Sequence, residues 1–119
     1  MKFKPIEPKS DKQIGCSVIR LCCLDGRNVN VHIKEGALSA FLFDLNFDDF
    51  VIDIRRIEQR KILSPYKYLS FSKYEGLTVQ SGTKNLVVLS LSAEELKDFL
   101  DYANDFITEV KEHRREKTA

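Results

Sequence analysis

The sequence is short of nearly everything that announces a chemistry. It has no excess of one charge: nineteen Lys and Arg stand against eighteen Asp and Glu, a formal net charge of +1, so no global field draws the chain to nucleic acid or to an anionic membrane. It has no apolar run near the roughly 18 residues that cross a bilayer, and its opening Met1-Lys2-Phe3-Lys4-Pro5 does not lead into an apolar signal segment. A soluble, cytoplasmic protein is expected. Cysteine is scarce and odd in number, with Cys16, Cys22 and Cys23 crowded into one stretch, which is no framework of paired disulfides. Histidine is scarcer. His32 and His113 have no nucleophile and carboxylate at a spacing that would build an acid–base site. The expectation is a protein that is not an enzyme and carries no cofactor and no metal.

What is present suits a single β-rich domain. The chain has 119 residues, 43% of them hydrophobic, enough for one ordinary core. Residues 1–13 hold Pro5, Pro8 and four lysines with few apolar groups, and read as a mobile or loosely docked arm. The domain is expected over 14–110, with a charged tail at 111–119.

Within the domain, residues 16–24 form a β-rich run and Asp25-Gly26 a turn. Val29, Val31 and Ile33 then alternate with Asn28, Asn30 and His32. Another strand is expected at 37–43, followed by an acidic loop over 44–49. Phe50, Ile52 and Ile54 alternate with Val51, Asp53 and Arg55, which predicts a strand with a bulge near Arg55-Arg56. Strands at 66–71, 77–81 and 86–91 complete a set of about seven. The last of them runs into Ser92-Ala93-Glu94-Glu95, whose S-x-x-E form is a capping box, with Leu91 and Leu96 placed for a hydrophobic staple. Leu96, Phe99, Leu100, Ala103, Phe106, Ile107 and Val110 follow at helical spacing, opposed by Lys97, Asp98, Asp101, Asp105 and Glu109. The fold class is mainly β with a C-terminal α-helix: about seven strands in a partly open barrel, capped by one amphipathic helix. Beyond Val110 the mixed charges read as a frayed, solvated helix end whose cations suit the helix dipole.

Phe47-Asp48-Asp49-Phe50-Val51-Ile52-Asp53-Ile54-Arg55-Arg56-Ile57 resembles the aromatic approach and hydrophobic-x-Asp-Ile-x-x-Ile strand of bacterial pleckstrin-homology domains. By element order residues 14–110 resemble that superfold and its GRAM-type members. The resemblance implies a binding module and a strand entering a second sheet. It departs from lipid-binding members, because the first loop offers only Arg20 and Arg27 where several cations must converge on phosphate.

Other constellations are incomplete. Asp44-Leu45-Asn46-Phe47-Asp48 opens like a calcium loop, but Asp49 stands where a Gly is needed and Arg55 where a bidentate Glu belongs. Cys16, Cys22, Cys23 and His32 lie along strands and not in the turn-borne pairs that zinc requires. Arg56 and Arg60 match the R-x-x-x-R half of the cyclic-dinucleotide signature of PilZ domains, without its second half.

Three functions follow as expectations. The first is a non-catalytic binding or scaffolding domain that recognises another protein chain at a sheet edge, with Tyr66, Tyr68 and Tyr74 as contact residues. The second is a sensor for an anionic lipid head group or cyclic dinucleotide, using Arg55, Arg56, Arg60 and Lys61. The third is a homo-oligomeric structural domain, because an open barrel leaves an edge to be covered.

Overall fold

A computed structural model describes residues 6, 12–15, 17–35, 39–59, 69–72, 76–81 and 84–118. The chain begins with β1 (Lys12–Ile14), β2 (Ser17–Cys22), β3 (Asn28–Glu35) and β4 (Ser39–Asn46), an antiparallel meander in sheet order β1-β2-β3-β4. Helix α1 (Phe47–Glu58) follows. A second meander, β5 (Leu69–Ser72), β6 (Gly76–Ser81) and β7 (Lys84–Leu89), then leads into helix α2 (Ala93–Thr118). A β-rich chain with a C-terminal helix is therefore present. The seven strands are divided four and three, and no ladder among the described residues joins the two sheets; a continuous seven-stranded barrel is not formed by these strands.

Alternation decides the faces of the first sheet. Ile19 and Leu21 on β2, Val29, Val31 and Ile33 on β3, and Leu45 on β4 are buried, while Val18, Arg20 and Cys22 are half-buried and Lys34 and Asp44 exposed on the other face. Two helices supply most of the rest of the core, with Ile6, Ile14, Cys23, Leu69 and Leu77. Phe47, Phe50, Ile54 and Ile57 of α1 are at most 1% exposed, a 3-4-3 spacing that belongs to a helix. From α2 come Leu96, Phe99, Ala103, Phe106, Ile107 and Val110. The Phe50 and Phe106 rings meet edge-to-face, with centroids 6.2 Å apart at 88°, an arrangement that aromatic quadrupoles favour.

The strand expected over residues 50–57, and with it the bulge near Arg55-Arg56, is a helix. The same correction applies to the segment that carries the resemblance, which does not enter a second sheet as a strand. Three local features outweigh its β-branched composition. The Asn46 side chain caps the helix by accepting from the Asp49 N–H at 3.1 Å, Asp48 and Asp49 sit in the first turn, and Arg55 and Arg56 sit in the last. Ile52, which a half-buried strand would have placed on the face of Phe50 and Ile54, is 44% exposed. The acidic loop expected at 44–49 is the end of β4 and this cap.

At α2 the capping box forms as its sequence requires. Ser92 N–H donates to Glu95 Oε1 at 2.8 Å and Glu95 N–H to Ser92 Oγ at 3.2 Å. The β1–β2 turn abuts this cap: Gly15 has φ +60°, which favours glycine, and a Cβ there would displace the Glu95 carboxylate from its place in the capping box. Ile6, within the expected arm, is 4% exposed and exchanges two backbone hydrogen bonds with Cys23, at 2.8 and 3.0 Å.

Candidate functional site

The expected anion-binding residues that fall within the described chain lie on α1, and Arg55 is engaged. Its Nη1 forms an ion pair with Glu58 Oε1 at 2.9 Å and also donates to Asn104 Oδ1. Asn104 Nδ2 in turn donates to Glu58 Oε2 and to the Leu100 carbonyl, each at 2.9 Å. These three side chains form a polar seam between the two helices, in which Arg55 meets a carboxylate of its own chain. On α1 Glu58 stands one turn from Arg55. Arg56 is half-buried. Arg60, Lys61, Tyr66, Tyr68 and Tyr74 lie outside the described residues.

The mixed-charge end of α2 is helical through Thr118 and docked by a residue that sequence reasoning passed over. The Arg114 guanidinium lies 4.5 Å from the Phe47 ring centroid. Its Nε donates to the Gly26 carbonyl at 2.9 Å, Nη2 donates to the same oxygen, and Nη1 reaches Asp48 Oδ1 at 3.4 Å. One cation thereby ties the β2–β3 turn and the start of α1 to the end of α2. That turn is itself built by Asp25, whose Oδ1 accepts the N–H groups of Asn28 and Arg27 at 2.9 Å each; these bonds hold the carboxyl below its ordinary range.

The incomplete motifs resolve into structure. Asp44 Oδ1 accepts from Asn30 across the β3–β4 pair, and Asn46 caps α1, so the D-x-N-x-D oxygens serve a strand and a helix end. No group of His, Cys, Asp and Glu among the described residues is placed to hold a metal, and no helix there is long and apolar enough to cross a membrane. Cys22 and Cys23 do face opposite ways, half-buried and fully buried. Burial pushes the Cys23 thiol up from its ordinary value, opposed by a backbone hydrogen bond from Gly26, and a buried thiol held protonated is a poor nucleophile. Brief treatment of the native protein with iodoacetamide, read by fragment mass spectrometry, is expected to modify Cys22 and spare Cys23. Equal modification would contradict the packing of the β2 end.

The remaining candidate is the outer edge of β4. Among the described residues β4 pairs only with β3. The direction of its backbone groups follows from one bond. Phe47 N–H donates to the Arg27 carbonyl at 2.7 Å, which continues the Asn28↔Asn46 register by one pair. Hydrogen-bonded and non-hydrogen-bonded pairs alternate along an antiparallel ladder, so Leu45, Phe43 and Phe41 address β3, while Asp44, Leu42 and Ala40 turn their N–H and C=O groups outward. The opposite side of the sheet agrees with this parity. It requires Leu21 and Cys23 to point away from β3, and they donate to Tyr102 Oη at 3.1 Å and to the Ile6 carbonyl at 3.0 Å. The β2 edge is thus covered by the chain itself, through β1, Ile6 and Tyr102. On β4, eight residues contain no Pro and no Lys and a single charge, Asp44, so the strand itself carries neither of the residues that most often blunt an edge. The sequence did carry this signal, as a run from Ser39 to Asn46 without a breaker.

Neither a family model, a curated protein nor a solved structure matches this chain.

Proposed function

We propose that the protein is a non-catalytic binding domain of pleckstrin-homology-like type that recognises an extended segment of a protein chain by adding it as a strand to β4. The observation that carries this reading is the outward row of backbone groups at Ala40, Leu42 and Asp44. Such a row supplies main-chain hydrogen bonds to any extended segment, and flanking side chains set the preference. The order of four antiparallel strands, three more, and a C-terminal helix with a buried apolar stripe supports the pleckstrin-homology-like assignment; α1 between the two meanders is a departure from it. In the anion-sensing alternative, Arg55 would exchange its contacts with Glu58 and Asn104 for the ligand.

The test uses Leu42→Pro. Proline is tolerated on an edge strand where the N–H faces away from the ladder, so the variant keeps the fold and loses the central outward donor. Selection of displayed random peptides on sparsely immobilised protein is expected to enrich sequences that bind the wild type and not Leu42→Pro. No enrichment, or peptides that bind both alike, would refute strand addition at β4.

A further inference from the structure

Resting on that reading of the β4 edge, we infer that the strand β4 receives is β4 of a second copy of this chain, paired antiparallel about Leu42. Two-fold pairing requires residues with outward backbone groups to face one another. Centring on Leu42 satisfies this for the whole row: Leu42 faces Leu42, and Ala40 of each copy faces Asp44 of the other. The two Asp44 carboxylates are thereby kept apart, and like charges directly opposite would be unfavourable.

Charge favours this register. Lys34 stands opposite Ala40 in the β3–β4 ladder, and both Lys34 and Asp44 are exposed on the face away from the core. In the dimer a single row across the sheets reads Lys34, Ala40, then Asp44 and Asn30 of the second copy. Lys34 and that Asp44 are about 10 Å apart at Cα, the sum of two neighbouring pair spacings, with only an alanine between them. The lysine reaches over it to the carboxylate, and the two-fold axis repeats the contact. Asp44 is already held upright by Asn30 within its own sheet. The product is one continuous sheet of eight strands in which neither β4 is an edge, and β1 of each copy lies at its two ends.

Sedimentation equilibrium over a wide concentration range tests this on the full chain. The wild type is expected to be a dimer, and Leu42→Pro a folded monomer by circular dichroism at every concentration at which the wild type is dimeric. Lys34→Glu and Asp44→Lys should each raise the dimer dissociation constant about tenfold, because each sets two like-charge pairs across the axis, and the double exchange should restore it. A monomeric wild type that still selects Leu42-dependent peptides would overturn the dimer and leave strand addition standing. A dimer indifferent to Leu42→Pro, with no such peptides, would overturn both. A dimer lost in Leu42→Pro but unchanged by the charge exchanges would overturn the register centred on Leu42.

Discussion

Phe106→Ala and Phe99→Ala are each expected to lower stability by about 3–5 kcal/mol, through lost burial and the cavity left behind. Phe106 is 5% and Phe99 2% exposed, and the Phe106 ring packs edge-on to Phe50 of α1, so its removal uncouples the two helices where they share the core. A loss of that size is a large part of what a domain of this length possesses. Asp98 and Asp101 stand on the exposed face of the same helix, and Asp98→Ala and Asp101→Ala should stay within about 0.5 kcal/mol. Urea melts of the four variants decide it. Equal effects on both faces, or an unchanged midpoint for a chain ending before α2, would mean that α2 does not form part of the core.

The second large effect is expected at Asp53. Its side chain is fully buried on α1 and its Oδ2 accepts the Leu69 N–H at 2.9 Å, so a helix side chain fixes the first residue of β5. Asp53→Ala deprives a buried donor of its acceptor and should cost about 1–3 kcal/mol. Asp53→Asn retains a carbonyl oxygen and should cost less. Amide exchange at Leu69 separates this local role from a general loss: it should accelerate in Asp53→Ala more than exchange at Val31, within the first sheet. Equal acceleration at both sites would mean that Asp53 is not the tie between α1 and the second meander.

Much of this architecture is legible because the signals are local. The alternation in β3, the Asp25-Gly26 turn and the Ser92–Glu95 capping box each depend on residues within a few positions, and each forms. The stripe of α2 could be read for the same reason, being a long period with a fixed start. Residues 50–57 misled because Val51, Ile52 and Ile54 have the composition of a strand, and their alternation over so short a run competes with an equally good 3-4-3 spacing from Phe47. The Asn46 cap and the Asp-to-Arg polarity of that segment were the signals that should have decided it. The contacts of Arg114 and the link from Arg55 and Glu58 to Asn104 were out of reach for a different reason: these partners lie 66–88 and 46–49 positions away in sequence, and no periodicity encodes such contacts. The β4 edge lies between these cases. Its uninterrupted run is visible in the sequence, but which amides face outward follows only from the register with β3.

That register also supplies the most direct test of the account. Residue-resolved amide exchange on a dilute Lys34→Glu sample, in which the second copy is absent, is expected to alternate along β4: slow at Phe41, Phe43 and Leu45, fast at Ala40, Leu42 and Asp44. Raising the concentration of the wild type should then slow the three fast amides and leave the others as they were. Uniform protection of all six in the dilute variant would show that the outer edge of β4 is already covered within one chain, and would contradict the central claim that it is the surface this domain offers to another.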